Sequence, residues 1–191
     1  MTSNRPEITV FAGPNGSGKS TITAVSPHVI PPYINADDIK RTTHCTDLEA
    51  ALKADELRFS CIEKNENFSF ETVLSTERKM EMLQKAKAQG YFIRGIFVLT
   101  AYADLNVFRV EARFHSGGHP VPEEKIRSRY EKSLANLPEF IALCDVCHVY
   151  DNTGVEPRRI FKKKRDEITF VTTQHWNRKK LSKLVGMPLN P

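Results

Sequence analysis

Short apolar runs alternate with amphipathic stretches along the chain, which predicts strands interleaved with helices. Glu7 to Ala12 (EITVFA) alternates and then runs apolar, as a buried strand does. Thr21 to Val25 continues a helix opened by the glycine-rich turn before it, and Tyr33-Ile34-Asn35 predicts a short second strand. From Asp47, a residue suited to an N-cap, Leu48, Ala51, Leu52, Leu57 and Cys61 recur at roughly helical spacing. Phe68 to Thr72 predicts a third strand. Ser75 or Thr76 caps a helix through Met80, Leu83 and Ala86 that stops at Gly90. Tyr91 to Leu99 is nearly continuous in apolar character, a fourth strand.

Two helices follow with no strand between them: Ala103 to His115, a break at Ser116-Gly117-Gly118, then Pro122 to Cys144. In the second, Ile126, Tyr130, Leu134, Leu137 and Ile141 share a face, and Pro138 starts a new turn or kinks the helix. Val146 to Tyr150 is a fifth strand, ended by the turn signal Asp151-Asn152-Thr153-Gly154. A hairpin (Arg159 to Lys164, Thr169 to Thr172) and a short helix complete the chain. The expected class is α/β: a three-layer sandwich with a mostly parallel central sheet covered on both faces, and a helical lid at about 103–144. Residues 1–156 make the main domain, and 157–191 a basic extension packed on it.

Composition narrows the class. No apolar run approaches the eighteen or so residues that span a bilayer, and no secretory hydrophobic region opens the chain. With four cysteines suited to a reducing compartment, a cytoplasmic location is expected. Cys144-Asp-Val-Cys147-His148 matches the C-x-x-C-H haem-attachment pattern, but it lies where a helix ends and a strand begins. Cys45 and Cys61 offer no second close pair for zinc, so the cysteines read as small buried residues. From Glu156 onward ten Lys and Arg face three Asp and Glu, leaving the rest of the chain slightly acidic. Runs such as Lys162-Lys163-Lys164-Arg165 are usually solvated faces. A nucleic-acid role is the weakest reading, because only Phe161, Phe170 and Trp176 interleave with the basic residues.

The sharpest motif is Gly13-Pro14-Asn15-Gly16-Ser17-Gly18-Lys19-Ser20, a complete G-x-x-x-x-G-K-[ST] followed by Thr21. A strand enters it and a helix leaves, so backbone N–H groups and the helix dipole converge on phosphate. Lys19 would reach the β- and γ-phosphates of ATP, and the Ser20 hydroxyl would sit on Mg²⁺. The loop alone does not separate a kinase from a switch or a motor. Asp151-x-x-Gly154 mimics one GTPase element, but no Asn-Lys-x-Asp guanine reader exists, and no aliphatic run ending in Asp follows soon after the loop.

A small-molecule kinase needs a carboxylate near the γ-phosphate and cations from a closing lid. Asp37 and Asp38 follow the second strand, where ligands sit in such sheets; the plainer alternative is a helix cap. Glu71, with Thr72 beside it, ends the third strand in the same crevice and would hold acceptor hydroxyls or a Mg²⁺-bound water. Arg109 and Arg113 lie one turn apart on the lid helix, suited to phosphate or to surface ion pairs with Glu111 or Glu124. His119, Arg127 and Arg129 are weaker candidates. Alternatives kept open are a kinase of some other acceptor and a small NTP-hydrolysing switch.

Taken in order, these pieces resemble the zeta toxin family of P-loop kinases in a short, single-domain form. The resemblance spans about residues 7–154: the loop at 13–21, Ile-Asn-Ala-Asp (34–37), Phe-Glu-Thr-Val-Leu-Ser (70–75), Arg109-x-x-x-Arg113 and Gly117-Gly118-His119-Pro120-Val121-Pro122. Arg129-Tyr130, Ser133-Leu134-x-Asn136-Leu137 and Tyr150-Asp151-Asn152 continue it. It implies Asp37 as catalytic base, Glu71 as a substrate-binding carboxylate and Arg109 as a lid arginine on phosphate. It further implies UDP-N-acetylglucosamine as acceptor and a small antitoxin that blocks the ATP site. Two departures stand out. His119 occupies the place of a second phosphate-binding arginine of the plasmid-type toxins, and the basic end has no counterpart.

Overall fold

The structure, a computed structural model, describes residues 5–115 and 121–189. Seven strands form one sheet: β1 (Glu7–Ala12), β2 (Tyr33–Ile34), β3 (Phe68–Thr72), β4 (Phe92–Leu99), β5 (Val146–Asp151), β6 (Arg158–Lys164) and β7 (Glu167–Phe170). Their order is β2-β3-β1-β4-β5-β6-β7, with β2 to β5 and β1 parallel and β6 and β7 antiparallel. β1 lies between β3 and β4, which places the loop after it at the middle of the sheet's carboxyl edge. Eight helices are described: α1 (Lys19–Val25), α2 (Ala36–Thr43), α3 (Asp47–Glu63), α4 (Glu77–Ala88), α5 (Ala103–His115), α6 (Glu123–Ala135), α7 (Leu137–Leu143) and α8 (Arg178–Val185). None is long and apolar enough to cross a membrane.

One face of the sheet carries the main core. Ile8, Val10, Phe68, Phe70, Phe97 and Val149 pack there against side chains of α3, α4, α7 and α8. The other face holds a smaller cluster, Phe11, Ile96 and Val98, with Ile22, Val29, Tyr33 and Tyr150 against it. The extension after β5 adds a hairpin to the sheet edge and sends α8 back to the main core, so the second face is covered only in part. The lid pair has a small core of its own in Val107, Val110 and Ile126.

Several local expectations are corrected. α2 was foreshadowed only by the helix-cap alternative for Asp37 and Asp38, and the cap is Asn35, which accepts from the Asp37 N–H at 3.0 Å, so both aspartates lie in the first turn. Asp47 is not the cap of α3. Thr46 is, in a capping box in which Glu49 N–H donates to Thr46 Oγ1 at 3.3 Å and Thr46 N–H to Glu49 at 2.8 Å. Thr46→Ala is therefore expected to cost about 1 kcal/mol of stability by urea denaturation.

The helix face is also different: Leu48 is 69% exposed and Leu52 and Leu57 point outward, while Ala50, Ala54, Asp55, Arg58, Cys61 and Ile62 are buried. The rotation inserts a charged pair beneath β3. The single helix expected over 122–144 is two, divided at Asn136, with Pro138 in the first turn of α7. The hairpin strands are Arg158–Lys164 and Glu167–Phe170, a shift of the second toward its turn. Cys61, Cys144 and Cys147 are buried thiols, whereas Cys45 is half-exposed.

Candidate active site

The glycine loop leaves β1 and wraps back into α1. Gly13 N–H donates to Thr72 O at 3.2 Å, tying its start to the end of β3. Gly13 (φ 140°) and Gly16 (φ 75°) hold left-handed backbone that other residues rarely adopt, and a Cβ at Gly16 would lie 2.6 Å from the Asn106 carbonyl. Asn152, in the turn after β5, donates to Ser17 O at 2.8 Å. The amides opening α1 have no side-chain cap, and the Ser17 hydroxyl is fully buried with no hydrogen-bond partner among the described residues. This is a cradle of donors without acceptors, and it fits a polyphosphate.

Lys19 is 7% exposed, with Nζ donating to Pro14 O at 3.0 Å and lying 4.0 Å from Glu71 Oε1. Burial pushes its pKa down; Glu71 and then Asp37 oppose that, while Arg113 and Arg129 add to it. The ammonium therefore sits among two carboxylates and two guanidinium groups. Glu71 accepts from Ser20 Oγ at 3.2 Å and from the Tyr33 hydroxyl at 3.0 Å, and burial followed by the Glu71 charge pushes the Tyr33 pKa up. Asn35 Nδ2 donates to the same tyrosine oxygen at 3.3 Å.

The two adjacent aspartates diverge. Asp37 acts electrostatically on Lys19 and Arg129, and its side chain is in no hydrogen bond or ion pair among the described residues. Asp38 is engaged by Arg41 at 2.7 Å and lines a cavity of about 230 Å³ with Tyr33, Ile39, Leu57 and Cys61. Thr72 is buried, and its hydroxyl accepts from Leu74 N–H at 3.1 Å. Thr21 is exposed at the start of α1.

The lid reaches the loop through both of its helices. Asn106 on α5 donates to Asn15 O at 2.5 Å, and Thr100 in turn bonds Asn106 Oδ1. From α6, Arg129 Nη1 donates to Asn15 Oδ1 at 3.3 Å, and the neighbouring Tyr130 hydroxyl donates to Thr100 O at 2.7 Å. Arg113 is exposed and within electrostatic reach of Lys19, and Arg109 is half-buried; neither is in an ion pair among the described residues. Arg127 faces elsewhere, bound to Asp104 and Glu123. His119 lies outside the described residues.

Five participants were not singled out in the sequence as site residues. Tyr33 and Asn106 carry no local signal. Asn152 stood in the turn signal after the fifth strand and in the family-like Tyr150-Asp151-Asn152, without a role of its own. Arg58 and Asp55 left an i, i+3 charge pair on a helix otherwise read by its leucines. Arg58 lies 4.7 Å from the Phe70 ring centroid and donates to Glu71 O at 3.3 Å, steadying the strand end that carries Glu71.

The oxygen donors at Ser20 and Glu71 suit a hard divalent ion such as Mg²⁺ held largely by phosphates. No cluster of three or more His, Cys, Asp or Glu suited to a metal occurs among the described residues, so these alone offer no complete cage.

A glycine loop at the middle of a parallel sheet, with a lysine and a carboxylate at the next strand tip and a helical pair bonded across it, defines a P-loop kinase fold and site. Within that class the chain belongs to the Zeta toxin family, whose model matches residues 1–166. It is 28% identical over 125 residues to an uncharacterized protein of Haemophilus influenzae, covering 63% of this chain and 89% of that one. It superposes on a chain of the AvrRxo1-ORF1:-ORF2 complex with ATP at a TM-score of 0.72 and 16% identity, over 99% of this chain and 66% of the other. A chain of the PezAT chromosomal toxin-antitoxin system of Streptococcus pneumoniae aligns at 0.62 and 17% identity, over 100% and 82%. At these identities the solved structures speak for the fold, and the chain spans just under two thirds of the AvrRxo1 chains it matches.

Proposed function

We propose that the protein transfers the γ-phosphoryl group of ATP to a hydroxyl of a small acceptor, a sugar nucleotide such as UDP-N-acetylglucosamine. The observation that carries the reading is the convergence of Lys19, Ser20, Glu71 and Asp37 at the mouth of the glycine loop. Lys19 leaves Pro14 O to grip the β- and γ-phosphates. Mg²⁺, held by the phosphates and the Ser20 hydroxyl, would neutralise developing charge, with Glu71 accepting from its water or from an acceptor hydroxyl. Asp37 takes the proton of the attacking hydroxyl. Arg113 and Arg129, together with Arg109 on the lid helix, supply positive charge to the transferring group. Arg129 already reaches the loop, which makes it the natural second phosphate contact in a chain that has His119 in place of the second arginine of the plasmid-type toxins. Thr72 anchors the loop through its backbone carbonyl, which accepts from Gly13 N–H, and stands beside Glu71 on the acceptor side.

Family membership also supports an antitoxin partner, by analogy with the toxin-antitoxin system that the PezAT chain comes from. A small NTP-hydrolysing switch is the second reading, since the nucleotide cradle would be the same.

Incubating the protein with ATP, Mg²⁺ and UDP-N-acetylglucosamine is expected to add one phosphate to the sugar nucleotide by mass spectrometry. An unchanged sugar nucleotide with phosphate transferred to another small acceptor would reject the named acceptor. Phosphate release independent of any acceptor would favour the switch.

A further inference from the structure

We infer that the open sheet face over β4, β5 and β6, opposite the main core, binds single-stranded nucleic acid. Strand alternation puts Phe92 and Arg94 of β4, His148 and Tyr150 of β5, and Arg159 and Lys162 of β6 on that side. His148 pairs directly with Lys162, and Tyr150 with Arg159. His28, from the connection after α1, joins them: it lies within electrostatic reach of both His148 and Arg94.

Charge selects an anion. Arg94 has one carboxylate, Glu7 at 2.8 Å, while Arg159 and Lys162 are in no ion pair among the described residues. Burial pushes the His148 pKa down to about 4, and Arg159, Lys162, His28 and Arg94 push in the same direction. An imidazole ringed by four basic groups marks a positive potential even with Glu7 beside Arg94 and His28.

Shape and rings select a chain of phosphates and bases over one small anion. The cations stand on three adjacent strands about 4.8 Å apart, on an open surface that does not close around a single group. Half-exposed rings lie among them: His148 and Tyr150 meet edge-on with centroids 6.3 Å apart, and Phe92 lies under Arg94 at 5.4 Å. Cations with planar rings on a sheet face suit sequence-tolerant stacking and phosphate contact. The linear sequence hides this, because the rings come from β4 and β5 and two of the cations from β6. None of the residues invoked belongs to the glycine loop, so the inference does not depend on the kinase reading.

Anisotropy of a fluorescein-labelled single-stranded RNA of about twelve nucleotides, titrated with the full chain at rising salt, tests it. Binding is expected to weaken with a log–log slope of roughly −2, as for about three phosphate contacts on a single strand. Arg159→Glu with Lys162→Glu should weaken it at least about tenfold, whereas Lys179→Glu with Lys180→Glu on α8 should change it little. In the complex the His148 imidazole should titrate at higher pH than in the free protein by NMR. No binding at low salt, an equal loss in the α8 variant, an unmoved His148, or displacement of the RNA by an equal charge of polyglutamate would each overturn the inference; the last would mark an acidic protein surface as the ligand.

Discussion

Asp37→Asn is expected to slow phosphoryl transfer by about 10²–10⁴ with affinity for ATP retained. The asparagine keeps the size of the side chain and the Asn35 cap, because that bond uses the backbone N–H of residue 37. What disappears is the group able to take the acceptor's proton. The next residue provides the contrast. Asp38 is bound to Arg41 and faces the small cavity beside β2, so Asp38→Asn should leave transfer within a few-fold of the parent. Single-turnover transfer and equilibrium ATP titration on both variants separate chemistry from binding. Full activity in Asp37→Asn would remove it from the base role, and equal losses in both variants would point to damage to α2.

Asp55→Ala should be the most destabilising single change outside the loop, at about 3–5 kcal/mol. Asp55 and Arg58 are both nearly fully buried and joined at 2.9 Å, and Lys79 and Arg78 converge on the same carboxylate. Removing the one anion strands a buried guanidinium beneath β3 and leaves two further cations beside it. Burial already lowers the Arg58 pKa, a sign of how poorly that site tolerates the charge, and Asp55 is what holds it up. The double variant Asp55→Ala with Arg58→Met should recover part of the loss, since it deletes the unpaired charge instead of exposing it. Denaturant unfolding of the parent, both singles and the double closes the cycle. An additive double variant would show that the two residues do not depend on each other.

β1 and the second half of β4 were legible because they are buried on both faces and read as apolar runs, whereas β5 alternates between buried and half-exposed positions. The glycine loop was legible because its backbone demands particular residues at fixed spacing. Long-range order was not. The leucines of α3 pointed to the wrong face, since its real inward side is small residues around an ion pair whose other partners come from α4. α2 showed only as a possible cap at Asp37 and Asp38, because none of its residues is fully buried and the capping residue is Asn35. The asparagine contacts that bind lid to loop join residues 91 positions apart for Asn106 and 114 for Arg129, a pairing that no local pattern encodes.

Asn15 receives a bond from each lid helix, one on its backbone carbonyl and one on its side chain. The phosphate cradle and the posture of α5 and α6 are thus a single equilibrium. Thermodynamic reciprocity then applies: whatever factor a protein seated on those helices imposes on nucleotide affinity, the nucleotide must impose on that protein's grip. A jailer that holds the lid tighter when the cell's ATP falls, and looser when it rises, would need no further sensor than this one residue.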